Sequence, residues 1–549
     1  MKTKTCTASG KQFVITDEDL AFYARMDVPE PTLCPEEVLR SMMLHRNERV
    51  LYRRKCDLTG KPLISAYDKE AAFPVYENSV WWGDDWDGTD FGRDFDQEIP
   101  FFDQFKALQN VVPREGTSVF NSENSDFNSH TRECKDCYLN TLAVKSESTH
   151  YCYWAVGNMD VVDSLITNNS ELCYEAIDCE NCYECVMVMD CHNSQHCAFS
   201  TDLRGCHHCI GCNNLRNKSY YIFNKPVSET EFQEFWEKVM NGSHAGYQQG
   251  IEFFRNQLKT VPHQAVMNTS VENVTGNHLI NCKDCKECFD GDGSEDCAYS
   301  VALNDTKDTY FASSAGWPGC ELIYYSTVSR GCTNLRFCYY TWFSQDLDYC
   351  DSCVSCSDCF GCIGLKHKKY CILNKQYSKE DYSEAKERLI AHMRNTEEWG
   401  SFFSPELSTF AYNHSQAQEY FPLTNESATQ RGYAWKAIEG TAQYDGPKFE
   451  IPQNIDDVGE DILEAVLTCD ESGKNFRIIK SELGFYRKMN LPIPRLCPDE
   501  RHLRRLKLRN PRELHDRKCS TCECEIKTTY APDRPEKVLC EKCYQEQIS

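Results

Sequence analysis

Thirty-five cysteines dominate the chemistry open to this 549-residue chain. Four of them near the C-terminus stand as two CxxC knuckles, CSTC with Cys519 and Cys522, and CEKC with Cys540 and Cys543. Two knuckles presented on turns bring four thiolates into a tetrahedron around Zn²⁺, with Zn–S at about 2.3 Å, and the interval between them suits a zinc ribbon. Four thiolates leave no open coordination position, so one structural Zn²⁺ is expected and no catalysis at it. Cys524, two residues past the first knuckle, reads as a spare thiol.

The remaining cysteines fall largely into triplet runs: Cys179, Cys182, Cys185; Cys206, Cys209, Cys212; Cys282, Cys285, Cys288; and Cys353, Cys356, Cys359, Cys362. The last run approaches the spacing of bacterial iron–sulfur ligands but lacks their x3-C-P ending. Two readings stand. Small apolar thiols packed in a narrow interior are favoured; zinc or iron–sulfur ligands of a redox or metal-handling protein are the alternative. His207 and His208, inside a CHHC run, read as turn residues, because no third group is in view to orient a nucleophile–base pair. The chain has no P-loop, no GxGxxG after a strand, no GxSxG and no HExxH, which weighs against an enzyme.

Two internal repeats supply the elements that must position these groups. CTASGKQF, LAFYARMDVPEPTLCP and HRNERVLYRRKC near the N-terminus return as CDESGKNF, LGFYRKMNLPIPRLCP and LRNPRELHDRKC near the C-terminus. Cys6, Cys34 and Cys56 match Cys469, Cys497 and Cys519 at identical spacing, so one zinc-ribbon-like α+β module is used twice. In the N-terminal copy the four ligand positions hold Cys56, Thr59, Glu77 and Val80; that copy should keep the shape without metal, with Trp81 and Trp82 supplying burial. Cys6 with Ser9, Cys34 with Glu37, Cys469 with Ser472 and Cys497 with Glu500 read as knuckles that have lost their second cysteine, with packed thiols favoured over metal there.

The second repeat fills the middle. The stretch from Val112 to Cys137 returns from Val261 to Cys285, and CHHCIGCNNLRNKSYYIFNKPVS from Cys206 returns as CSDCFGCIGLKHKKYCILNKQYS from Cys356. Cys152, Cys173, Cys197 and Tyr221 lie 21 to 24 residues apart, and Cys297, Cys320, Leu347 and Cys371 keep a similar rhythm. Strand-like pieces such as HYCYWAV and YYIFN alternate with Asn, Asp, Gly and Ser clusters, the pattern of a parallel β-solenoid coil. Roughly four coils per half are expected, with cysteines stacked in interior ladders at about 4.8 Å.

The fold expected is mainly β with helical inserts: two tandem Cys-rich parallel β-solenoid halves flanked by duplicated zinc-ribbon-like α+β modules. In order, these are a degenerate ribbon-like module at 1–80, an acidic, aromatic segment and capping helix at 81–115, a half at 116–228, a helical insert at 229–260, a half at 261–380, a helical cap at 381–440, a linker at 441–465 and a zinc-ribbon module at 466–549. The acidic, aromatic stretch at 81–103 is expected to dock over the first coil or line a cleft.

A net charge of −25 repels polyanions over long range. Basic residues concentrate from Arg501 to Lys518, where eight lysines and arginines face two acids, so Arg501, Arg504, Arg505, Lys507 and Arg509 are the candidate contacts to nucleic acid or ribosome. A solvated helix face is the favoured reading of that run. No stretch approaches the roughly 20 apolar residues of a membrane helix, and the N-terminus has no apolar h-region. A cytoplasmic protein with reduced thiols follows as the expectation.

The motifs CxxSGKxF, FYxxMxxPxPxLCP, RKC and TTYAPDRPEKVLCEKCY, with NKSYYIFNKPVS and KHKKYCILNKQYS, resemble a family of large Cys-rich zinc-ribbon proteins from candidate-phyla bacteria with reduced genomes. The resemblance spans essentially the whole chain. Some relatives carry a CaiB/BaiF-type CoA-transferase label, which nothing in these repeats supports. Relatives tend to have cysteine where this chain has Ser9, Glu37, Ser472 and Glu500. The expected function is a non-enzymatic, zinc-binding scaffold or interaction protein whose partner is another protein; redox or metal handling, and nucleic-acid or ribosome association, are the alternatives.

Overall fold

The computed structural model describes residues 1–437, 446 and 448–548. The end of the expected helical cap at 438–440, and the expected linker at 441–445 and 447, lie outside the described residues. The chain is mainly β and falls into two compact units. One comprises Met1–Gly116 and Val266–Lys436 with the short piece Lys527–Thr529; the other comprises Thr117–Ala265, Ala437–Ile526 and Tyr530–Ser549. The pairing is crossed: the N-terminal module shares a unit with the second central half, and the C-terminal module with the first.

Each unit is built around one large, mainly parallel sheet, of 14 strands in the first half and 10 in the second. Successive strands pair at an offset of 12 residues: Thr141 with Tyr153, Tyr153 with Leu165, Leu165 with Ile177, and, in the second half, Thr333 with Gln345 and Gln345 with Ser357. The expected period of 21 to 24 residues is therefore corrected to 12. Cys197 pairs with Cys209 and Cys209 with Tyr221, so the 24-residue interval spans two rungs.

Within a rung the chain turns at every third residue. Glu133, Asp136, Leu139, Leu142, Lys145, Ser148 and Tyr151 all have φ between 50° and 58°. Each costs about 1 kcal/mol or more in that left-handed conformation. The cost is offset by main-chain bonds to the preceding rung, such as Tyr151 N–H to Tyr138 O at 3.0 Å and Asp163 N–H to His150 O at 2.9 Å. The residue after each turn points inward and is small: Cys134, Cys137, Asn140, Ala143, Ser146, Thr149 and Cys152 are all buried.

These inward side chains add bonds to the main chain at the corners, to N–H groups and to carbonyls that also accept from the neighbouring rung. The Cys152 thiol donates to His150 O and Val161 O at 3.4 and 3.3 Å. Asn140 Oδ1 accepts from Cys152 N–H at 2.8 Å, and its amide donates to Thr149 O at 2.7 Å. The Asn-Lys motif ends both halves in the same way: Asn224 brackets Asn213 N–H and C=O, each at 2.9 Å, and Asn374 brackets those of Ile363, each at 2.8 Å.

Helices follow each half. Glu229–Val239 opens with a capping box between Ser228 and Glu231, and His244–Thr260 lies so close to the sheet that a Cβ on Gly250 would stand 2.1 Å from Phe199. Lys379–Asn395 is the counterpart after the second half. The acidic, aromatic segment, expected to dock over the first coil or line a cleft, packs within the unit that holds the second half. It covers the last rungs of the second half, where Lys366 Nζ reaches Trp81 O and Gly83 O, Lys368 pairs with Asp87, and Asn374 Nδ2 donates to Gly88 O. The lysines attract acids and carbonyls there.

The terminal modules dock through matching contacts. The carboxylate one residue before LAFY, Asp19, accepts from Tyr299 OH at 3.0 Å, and the one before LGFY, Glu482, accepts from Tyr151 OH at 3.0 Å. Tyr151 and Tyr299 each lie 14 residues after the second cysteine of a CKDC motif.

Candidate metal centre

Four hairpins in the terminal modules each lead into a cysteine: Lys2–Thr5 with Gln12–Ile15, Tyr52–Lys55 with Pro62–Ser65, Leu467–Thr468 with Asn475–Phe476, and His515–Lys518 with Glu525–Thr528. The turns are superimposable in their bonding. Cys6, Cys56, Cys469 and Cys519 each donate their N–H to the carbonyl five residues on, at 2.8, 2.8, 2.8 and 2.9 Å. The residue four on returns a bond and takes positive φ; it is Gly10, Gly60 and Gly473 in three copies and Glu523 in the fourth. Glycine takes that conformation without strain, which is why SGK or TGK closes three of the knuckles.

In the fourth copy the sulfurs converge. The Sγ atoms of Cys519, Cys522, Cys524 and Cys540 all lie within 4.8 Å of one another, and Cys522 and Cys540 are 3.8 Å apart. A Zn–S tetrahedron with bonds of about 2.3 Å has an edge of about 3.8 Å, so the donor set fits a thiophilic metal ion. Cys540 comes from the end of the short strand Val538–Leu539, and its N–H already donates to Cys519 Sγ at 3.3 Å. Cys543, in the first turn of helix Glu541–Ile548, packs in an apolar cluster with Cys519, Leu539 and Tyr544. The structure thus gathers three residues of the two CxxC motifs, Cys519, Cys522 and Cys540, and its fourth sulfur is that of Cys524, which the spacing left out, in place of the expected Cys543. Cys519 and Cys543 are buried, Cys540 is half-buried, and Cys522 and Cys524 are exposed.

Electrostatics favour a cation there. Burial pushes the Cys519 thiol up, but N–H groups of Cys522, Cys540 and Thr521 outweigh it and bring it down to about 6. Cys524 is pushed up to about 12, first by its neighbour Cys522, and Cys543 is raised by Cys522 and Cys540. Crowded thiols resist losing further protons until a metal ion compensates the charge.

The other three knuckles keep the frame with poorer donors. Ser9 Oγ stands 3.8 Å from Cys34 Sγ, and Ser472 Oγ 3.7 Å from Cys497 Sγ, repeating the Cys522–Cys540 separation with a hydroxyl in place of one thiol. Thr59 Oγ1 donates to Glu77 Oε1 at 3.0 Å. Glu37 is turned away into ion pairs with the buried Arg40 and the exposed Arg431. Around Cys56, the side chains of Tyr76, Val80 and Trp81 form an apolar cluster, with Trp82 packed against it.

The triplet runs behave differently. Cys179, Cys182 and Cys185 are buried and donate to carbonyls, as do Cys353, Cys356, Cys359 and Cys362. Among the described residues, no run of this kind brings three sulfurs within 4.8 Å of one another. Burial raises the Cys152 thiol to about 12 and the Cys353 thiol well up; the neighbouring Cys356 falls because Cys353 and Cys359 donate to it, so such pairs titrate as a unit. His208 stacks on Tyr220 at 4.7 Å, a packing contact.

Most of the candidate phosphate contacts are already engaged. Arg501 and Arg505 are buried and pair with Asp163, Arg501 also reaches Glu482, and Arg509 holds Asp178 at 2.7 Å. Arg504 pairs with Glu471, and Lys507 is exposed. No helix among the described residues is long and apolar enough to cross a membrane. No protein-family model and no curated protein matches the chain.

Proposed function

We propose that this chain is a cytoplasmic, zinc-holding interaction scaffold, related to the Cys-rich zinc-ribbon proteins it resembles. The convergence of Cys519, Cys522, Cys524 and Cys540 within 4.8 Å carries this reading, because thiol donors at that separation suit Zn²⁺ above harder cations. In this reading the metal pins the C-terminal module as a zinc ribbon, and Cys543 belongs to the same thiol cluster. The 12-residue parallel ladders support a β-solenoid body whose long faces bind a protein partner. The interior thiols act as packing donors to carbonyls, so the chain's work is binding and not turnover. Contact with RNA through Arg501 to Lys518 draws less support, since Arg501 and Arg505 are buried against Asp163. Metal analysis of the full chain purified without chelators tests the proposal. About one zinc per chain is expected; none, or several metals with an iron–sulfur chromophore, would sink it.

A further inference from the structure

The two central halves end on the same motif but are finished differently. At the end of the second half, Val75–Tyr76 of the N-terminal module runs parallel to Arg114–Glu115; at the end of the first, Val538–Leu539 of the C-terminal module runs parallel to His263–Gln264. The Val-Pro turn before each of these strands touches the last rung. Asn214 Nδ2 donates to Pro262 O at 3.0 Å, and a Cβ on Gly364 would stand 3.1 Å from Val112.

From this shared frame the N-terminal module continues, as residues 83–94, across the end of the second half. Arg93 N–H donates to Leu373 O at 3.0 Å, and Asn374 Nδ2 donates to Gly88 O at 2.9 Å. Lys368 pairs with Asp87 at 2.6 Å, and Lys375 with Asp94. The segment lies so close that a Cβ on Gly92 would stand 2.8 Å from Asn374 O, and Leu373 and Asn374 are 0% exposed.

The first half presents the same groups to solvent. In the repeat that aligns Cys206 with Cys356, the residues Lys368, Leu373, Asn374 and Lys375 fall on Lys218, Phe223, Asn224 and Lys225. Phe223 is 40% exposed, and Lys218, Asn224 and Lys225 are exposed with it. Among the described residues, neither lysine has an ion-pair partner and no main-chain N–H donates to Phe223 O. In place of Gly88 O, Asn224 Nδ2 meets Asn213 Oδ1 at 3.3 Å. Arg216, at the place of Lys366, is held by Asp202, so the open stretch begins at Lys218.

We propose that this end of the first half is a docking groove for an acidic, glycine-bearing, extended segment of a partner protein, chemically like residues 84–94 of this chain. The inference deepens the scaffold reading above by giving its protein partner a place and a chemistry. The partner's main chain brings an N–H to Phe223 O and a carbonyl to Asn224 Nδ2. Its glycine allows the close approach over Asn224 that Gly92 makes over Asn374, and two carboxylates meet Lys218 and Lys225. Main-chain bonds supply affinity in such strand-end recognition, and side chains choose the partner.

The probe is a peptide of residues 84–96, DDWDGTDFGRDFD, titrated into the full chain, whose own copy already fills the second half. One peptide per chain is expected, with affinity about tenfold or more lower in K218E/K225E. Unchanged affinity in that variant, or equal binding of a scrambled peptide of the same composition, would overturn the groove. Should the variant fail to fold by circular dichroism, carbodiimide coupling of the peptide to wild type decides: cross-links on Lys218 or Lys225 support the groove, and cross-links only elsewhere overturn it. Zinc is measured on the same sample. A chain that carries zinc and binds no peptide overturns the groove and leaves the zinc scaffold standing, whereas a chain that binds peptide but holds no zinc overturns the zinc reading alone. Wild type that self-associates through the same lysines would give the groove to a second copy and overturn the partner.

Discussion

Alanine at Asn374 should destabilise its unit far more than alanine at Asn224, although the two asparagines occupy the same motif and make the same pair of bonds. Asn374 is fully buried; its loss strands the N–H and C=O of Ile363 and the C=O of Gly88. A buried polar group left unsatisfied costs about 1–3 kcal/mol, so three of them give roughly 3 kcal/mol or more. Asn224 is exposed, and water can replace its bonds to Asn213, which limits the loss to about 1 kcal/mol. Urea unfolding read by hydrogen exchange at Ile363 and at Asn213 measures both. Equal losses at the two sites would refute the claim that burial of the end cap, and not the motif itself, sets its worth.

Removing Arg501 as R501M leaves Glu482 buried without its cation and Asp163 with Arg505 alone, and should cost about 3 kcal/mol, whereas R504A, at an exposed pair, should stay within about 0.5 kcal/mol; denaturation midpoints compare them. Burial holds the folded pKa of His150 down to about 4 and that of His45 to about 3. The unfolded chain binds protons below about pH 6.5 that the folded chain takes up only near pH 4, so stability should fall as pH drops through that window, by up to about 3 kcal/mol per histidine. H150Q should flatten the slope, and an unchanged slope would refute the assignment. The double change S472C/E500C should create a second thiophilic site in the C-terminal module, seen as one extra Co²⁺ per chain, because Ser472 already stands 3.7 Å from Cys497.

What the sequence made legible follows from local rules. CxxC spacing and the SGK turns mark the knuckles, because their bonding is confined to five residues. The terminal repeat is visible for the same reason. The rung length is hidden because cysteine fills the inward position on only some of the rungs. Cys173 and Cys197 are 24 residues apart, but the inward position between them is Cys185 on one rung and Ser, Ala or Val on others, so the true period of 12 is spread over several residue types. Cys524 escaped because CxxC counting ignores a thiol brought in by the strand after the turn. The crossed pairing of modules and halves rests on contacts hundreds of residues apart, such as Tyr151 with Glu482, which no periodicity encodes. The basic run likewise reads as a surface until Asp163 is found opposite Arg501 and Arg505.

X-ray absorption at the zinc edge, on freshly isolated full-length protein, tests the central claim most directly. A single zinc with four sulfur neighbours at about 2.3 Å is predicted, lost when Cys519 and Cys540 are replaced together. A first shell containing nitrogen or oxygen, or zinc that survives that double replacement, would contradict it.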